Sequence, residues 1–199
     1  MKYLKEARAH FKGAPAFSIR DMRIFLAGIS PAYLHLLIHN LIAGKEIRRI
    51  SRGIYTFRDD AQVVGFGFTP FYYGLQEALS LRNLWEQETN PVVITPRKAR
   101  SGARTFSGGN YLLRRISRKM FFGFEMMKCR DFWIPVSDLE HTLNDYAYFR
   151  QPLSKEALGE IKRRMNRKKL NEYLHRCAPS VARRVSDMVR QKQPKSTGK

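Results

Sequence analysis

His35 and His39 stand four residues apart, a spacing that places two imidazoles on one face of a helix, where they could hold zinc or meet a polar edge. No Cys or carboxylate lies near enough in sequence to complete a zinc set, so the pair reads as part of a contact surface. Glu125 and Lys128 offer an acid beside a base, but positions three apart on a strand point to opposite faces, unlike a nuclease site. Ser107-Gly108-Gly109 lacks the Lys-Ser/Thr of a phosphate loop and reads as a hairpin turn. No Ser, Cys or Thr has a base set beside it, and the five histidines form no metal-ligand spacing with Cys or Asp. The sequence therefore points to a binding protein rather than an enzyme, with neither metal nor cofactor. What remains is cationic. Arg48, Arg49 and Arg52 fall within five residues, residues 97–119 hold eight Lys/Arg and no acid, and Lys162, Arg163, Arg164, Arg167, Lys168 and Lys169 put six cations in eight positions. Phosphates and acidic proteins are the natural counterparts of such groups.

These residues need elements to position them. Ser18 can cap a helix whose apolar side is Ile19, Met22, Ile24, Phe25 and Leu26. Gly28 then permits a turn, and Ser30-Pro31 is a start signal, an N-cap followed by proline at the first helical position. Leu34, Leu37, Ile38, Leu41 and Ile42 recur at the helical period and predict a buried stripe. The opposite side shows Ala32, Tyr33, His35, Leu36, His39 and Asn40. Glu46–Ile50 and Ile54–Phe57 read as strands around Ser51-Arg52-Gly53, a hairpin turn. Helix, turn, helix and basic hairpin make a winged helix-turn-helix. In the usual docking of that motif the second helix enters the major groove of double-stranded DNA. Ser30, Tyr33, His35, Leu36 and His39 would then face DNA, with Arg48, Arg49 and Arg52 on phosphates.

Composition narrows the class further. The 199 residues are 43% hydrophobic, enough for proper cores, and carry a formal charge of +20. Residues 154–199 hold 14 cationic and 4 acidic groups, half of the whole excess. No apolar run is long enough to span a bilayer, and the mixed-charge start MKYLKEARAHFK is unlike a secretory signal. Cys129 and Cys177 stand alone, which suits a reducing cytoplasm. Nucleic acid is the leading partner class, with no membrane. Monomer and weak dimer both fit.

The chain divides into a winged helix-turn-helix over 1–60, an α+β domain over 61–153 and basic helices with a tail over 154–199. Arg58-Asp59-Asp60 is a polar boundary, the limit between the two modules falls near Asp59–Ala61, and 61–199 is expected to keep a fold of its own. Residues 1–12 predict a first helix with Leu4, Ala7, Ala9 and Phe11 available to pack. Thr69-Pro70 predicts a helix start, Asn90-Pro91 its end, and Val92-Val93-Ile94 a strand. Arg104–Ser117 reads as a hairpin broken at Gly108-Gly109, with further strands over Met120–Met127 and Phe132–Val136. Ser137-Asp138-Leu139-Glu140 has the form of a capping box. The result is a mixed, mostly antiparallel sheet with helices. Ser154 then opens one long helix reaching Leu174, Pro179 breaks it, a last helix follows, and Lys192–Lys199 is a loose tail.

The order of these pieces resembles the AbiEi-type antitoxin family of type IV toxin–antitoxin systems. Three stretches carry the likeness. Ile50-Ser51-Arg52-Gly53-Ile54-Tyr55 is close to the family's wing ending of basic residue, Gly, aliphatic and Tyr. Phe71-Tyr72-Tyr73-Gly74-Leu75-Gln76-Glu77-Ala78-Leu79-Ser80-Leu81 is like its helix after the wing. Ile134-Pro135-Val136-Ser137-Asp138-Leu139-Glu140-His141-Thr142-Leu143-Asn144-Asp145 is like its strand running into a capped helix. The likeness covers most of residues 15–150 and does not extend to the basic ending, and Arg82-Asn83 departs from the pattern, where the family is nearer His-Gly. The resemblance implies a repressor that binds inverted repeats upstream of its own operon and counteracts a co-encoded nucleotidyltransferase-like toxin. The rivals are a nuclease-like or an RNA-binding protein carrying a winged helix. The first would want clustered carboxylates, and the middle acids are scattered along the sequence.

Overall fold

Phe17, Met22, Leu34, Leu37, Ile38, Leu41 and Tyr55 collect the N-terminal part of the chain around one core. In the computed structural model, which describes residues 2–85 and 89–190, helix α1 (Lys2–Phe11) leads to strand β1 (Phe17–Ser18), helix α2 (Ile19–Phe25), helix α3 (Pro31–Ala43) and strands β2 (Arg48–Ser51) and β3 (Ile54–Thr56). Ser18 caps α2 reciprocally: its hydroxyl accepts from the Asp21 N–H, and the Asp21 carboxylate accepts from the Ser18 N–H. Ser30 Oγ accepts from the Tyr33 N–H at 3.2 Å, and Pro31 fills the first position of α3. Strand β3 lies between β1 and β2, antiparallel to both. Gly53 turns the β2–β3 hairpin at φ +77°, a conformation that a β-carbon strains.

Two expectations fail here. Ile24 and Phe25 are exposed, because α2 is only seven residues long and turns Met22 alone inward. Ile42 is exposed as well. It lies about 100° around the helix from Leu41, past the edge of the stripe.

The rest of the chain builds a six-stranded sheet in the order β6-β7-β5-β4-β9-β8. These strands are β4 (Tyr72–Tyr73), β5 (Val92–Thr95), β6 (Gly102–Phe106), β7 (Gly109–Arg115), β8 (Phe124–Cys129) and β9 (Phe132–Ser137). The β4–β9 and β5–β7 pairs are parallel and the other three antiparallel. Helices α4 (Leu75–Leu81), α5 (Leu139–Phe149), α6 (Lys155–Arg164), α7 (Arg167–Arg176) and α8 (Pro179–Arg190) complete an α+β architecture. Tyr72, Ile94 and Ile116 share one core with Leu143, Ile161, Leu170 and Val185, so the basic C-terminal helices pack on the same body as the sheet. The second core joins Tyr73, Val93, Leu113 and Ile134 to Val63, Val64 and Phe68 of a 3-10 helix over Ala61–Phe68.

Several local expectations shift. Thr69-Pro70 opens no helix. Tyr72 and Tyr73 find strand partners in Ile94, Val93 and Val136, and that pairing outweighs the helix signal until Gly74. Helix α4 ends at Leu81, well before Asn90-Pro91. The strand expected from Met120 starts at Phe124, because Arg118–Met120 forms a 3-10 turn that buries Met120. The cap of α5 is Asp138, not Ser137: Asp138 Oδ1 accepts from the His141 N–H at 2.7 Å, and Ser137 ends β9. The single long helix is two. Asn166 accepts from the Lys168 and Lys169 N–H groups, capping α7 and breaking the run after Arg164. Pro179 starts α8 rather than merely interrupting a helix. The tail from Lys192 to Lys199 lies outside the described residues.

The two parts meet along a tight seam. Ile50 of β2 belongs to the core of Val63, Val64 and Phe68, and Ser51 Oγ donates to the Gly67 carbonyl at 3.0 Å. A β-carbon on Gly67 would stand 2.6 Å from Ile50 Cγ2. Gly67→Ala should therefore destabilise the folded chain by about 1–3 kcal/mol, the usual cost of overpacking a dense contact. Chemical denaturation of the variant checks this, and an unchanged midpoint would show that the seam yields.

Candidate nucleic-acid interface

Helix α3 presents the face expected from its sequence. Leu34, Leu37, Ile38 and Leu41 are buried, while Ala32, Tyr33, His35, Leu36, His39 and Asn40 are exposed. Tyr33 is 40% and Leu36 50% accessible, high values for large side chains with apolar surface to hide. Ser30 lies at the helix start with its hydroxyl on the Tyr33 N–H. The Tyr33 ring rests 5.9 Å from Tyr3 of α1, which steadies it without covering it. Among the described residues, no group of three or more His, Cys, Asp or Glu converges with metal-binding geometry. His35 and His39 therefore offer two ring edges on an open helix face.

The β2–β3 hairpin splits its three arginines. Arg48 forms an ion pair with Asp59. Arg49 reaches back to the Ser51 carbonyl at 3.3 Å and stays exposed, and Arg52 is exposed at the tip. Neither Arg49 nor Arg52 has a carboxylate partner among the described residues, so both are available to an external anion.

The basic run of 162–169 is split too. Lys162, Arg163 and Arg164 close α6, where cations suit the negative helix end, and Arg163 and Arg164 both reach Glu160. Arg167 and Lys168 are exposed on the first turn of α7. Lys169 turns inward, 2.9 Å from Asp138 Oδ2, and lies over the Tyr173 ring. The six cations are thus a broken surface with one member, the half-buried Lys169, drawn to the buried carboxylates of Asp138 and Glu140.

That interior is the feature sequence reasoning passed over. Glu140, His141, Thr142, Asn144 and Asp145 of α5 are all buried. Tyr72 donates to Asp145 Oδ1 at 2.8 Å and sits 3.1 Å from His141 Nε2, which is 3.4 Å from the same Asp145 oxygen. Tyr173 donates to Asp138 Oδ2 at 2.8 Å, and Glu140 accepts from the Asn166 N–H at 2.6 Å. Burial holds the His141 imidazole down to about 4 and keeps the Asp145 carboxyl well above the usual carboxylate range. The arrangement is a buried phenol, imidazole and carboxyl cluster bridged by Tyr72, and His141 and Asp145 are wholly enclosed, so it reaches no substrate unless α5 moves. It fastens α5 to the sheet on one side and to α7 on the other. The signal was present in the unbroken polar run of 140–142 beside 144–145, yet such a run usually marks a solvated face.

These elements recur in a known fold. The crystal structure of the RV2827C protein from Mycobacterium tuberculosis is similar with a TM-score of 0.62, over 95% of this chain and 76% of that one, at 11% sequence identity. A likeness at that identity is one of fold. No family model and no curated protein matches the sequence. No described helix is long and apolar enough to cross a membrane.

Proposed function

We propose that this chain is a cytoplasmic DNA-binding repressor and antitoxin of a type IV toxin–antitoxin system. On this reading the three N-terminal helices and the β2–β3 hairpin are a winged helix-turn-helix, residues 1–60 its domain, and α3 the helix that enters the major groove. The observation that carries the reading is the open α3 face, with Tyr33, His35, Leu36 and His39 exposed, together with Arg49 and Arg52, which have no carboxylate partner among the described residues. Tyrosine, histidine and leucine can contact base edges and thymine methyl groups, and arginines hold phosphates. The operator would carry inverted repeats upstream of the chain's own operon. The likeness of the three stretches to the antitoxin family supports a nucleotidyltransferase-like toxin as the second partner. Arg167 and Lys168, exposed on α7, are placed to meet either phosphates or acidic protein.

The test is a gel shift with the chain's own upstream region against random duplex. Replacing Tyr33, His35 and His39 with alanine leaves the buried stripe untouched, so circular dichroism should not change. Removing a base-reading side chain should cost about 1–3 kcal/mol on the operator and little on random DNA. Equal weakening on both would show that these side chains only position the protein. Growth rescue from the neighbouring toxin gene, measured with the same variant, tests the antitoxin half separately.

A further inference from the structure

The acid-free stretch of 97–119 gains a site from the sheet topology. Strands β5 and β7 run parallel, with Thr95 beside Arg115, so both deliver their following residues to the same end of the sheet. Ser101 Oγ accepts from the Arg115 N–H at 3.0 Å, which folds the loop after β5 over that end. Arg97, Lys98, Arg100, Arg115, Arg118 and Lys119 are thereby gathered there, all exposed and none with a carboxylate partner among the described residues. Two of them, Arg97 and Arg118, line a cavity of about 290 Å³ together with Pro70, Pro96 and Phe121.

The cavity is built rather than incidental. Thr95, fully buried next to Pro96 in sequence, donates from Oγ1 to the Pro70 carbonyl at 2.8 Å and accepts from the Arg97 N–H at 3.2 Å, which ties the two proline-bearing walls together. Phe121 is backed by Tyr72 at 5.5 Å and Phe124 at 5.0 Å between ring centroids. Two prolines and a phenyl ring make an apolar surface on which a flat ring can lie. Two free guanidiniums flank it, and a guanidinium is planar and forked to match phosphate oxygens. No carboxylate lines the cavity to repel an anion. We propose that this cavity binds a nucleotide unit, its phosphate on Arg97 and Arg118 and its base on Phe121 and the prolines. A free nucleotide and an unstacked residue of a single strand share that chemistry. The surrounding cations draw either toward the site. None of the cavity-lining residues belongs to residues 2–60, so the site stands whether or not α3 reads an operator.

The test uses the full chain and two probes, thymidine 5′-monophosphate and a 5′-phosphorylated oligothymidylate of about six nucleotides, followed by calorimetry. In the double variant Arg97→Ala/Arg118→Ala, both substitutions being at exposed positions, affinity for both probes should fall roughly tenfold or more. Phe121→Leu keeps the apolar volume but removes the ring. It should weaken both probes roughly tenfold and leave the binding of inorganic phosphate unchanged. The Tyr33/His35/His39 alanine variant should bind both probes as the unaltered chain does. Much tighter binding of the oligomer than of the monophosphate supports a strand as the source, and comparable binding supports a free nucleotide. Three results overturn the proposal. They are no binding of either probe at millimolar concentration, unchanged affinity in the double arginine variant, and a neutral Phe121→Leu that shows a charge patch with no base recognition.

Discussion

Affinity for duplex DNA is expected to fall by roughly 10³–10⁵-fold when salt rises from about 50 to 200 mM, the drop that follows from about 6–10 phosphate contacts. The structure shows which cations can make them. Arg49, Arg52, Arg167 and Lys168 are exposed and carry no ion pair among the described residues, and the same holds for Arg20, Arg23 and Lys45. Arg48 is held by Asp59, and Lys169 by Asp138 and Glu140, so recruiting either to a phosphate would first break an ion pair. The logarithmic salt slope changes by about 0.9 for each phosphate that is no longer neutralised. Arg52→Ala should lower the slope by about that amount, and Arg48→Ala by much less. Titrations at several salt concentrations read both. A nearly flat response in the unaltered chain would remove the electrostatic basis of the proposed function.

The buried pair on α5 should make its two single variants respond to pH in opposite senses. Burial lowers His141 to about 4 from 6.5. Between those values the unfolded chain binds a proton that the folded chain refuses, so His141 alone makes stability rise with pH from about 4 to 6.5 and level off above. Asp145 acts the other way. Its folded carboxyl stays protonated well above the ordinary 3.8, so its contribution to stability falls as pH rises past that value. Across the histidine's window the two contributions oppose each other, so the unaltered chain should respond less steeply than either single variant. Asp145→Asn leaves only the histidine slope, so its Tm should climb with pH across the window, by a stability change of about 3 kcal/mol. His141→Gln leaves only the aspartate slope, and its Tm should fall as pH rises. Thermal unfolding of the three proteins across this range gives the comparison. Parallel profiles would mean that the two groups are not the buried neutral pair inferred from their geometry.

Local signals that need only a neighbour or two were legible in the sequence. Ser30-Pro31, the Gly53 turn, the β6–β7 hairpin at Gly108 and the Ser154 cap each satisfy backbone groups within a few residues, so chain chemistry alone places them. The α3 face was equally readable from its period. Features decided by distant partners were not. Tyr72 and Tyr73 become a strand because β5 and β9 arrive on either side. Asp138 displaces Ser137 as the cap because Ser137 is held in β9 and its hydroxyl lies 2.9 Å from Thr142 Oγ1. Asn144 and Asp145 look like solvated residues until the sheet closes over them. The cations of 97–119 became a site only when two parallel strands brought their ends together.

Arg58 and Asp60 stand where the sequence shows a polar boundary between two parts. Arg58 donates to the Gly13 carbonyl at 3.1 Å, pairs with Asp131 on the β8–β9 turn and lies over the Phe132 ring. Asp60 pairs with both Arg58 and Arg130. Together with the Ile50–Gly67 contact, these bonds leave the connection no role as a tether. The N-terminal helices and the sheet are instead bonded to each other at several separate points along the seam. If α3 docks as proposed, a chain joined this way would bring its other cationic surfaces to the same partner already aimed, with little hinge entropy to lose.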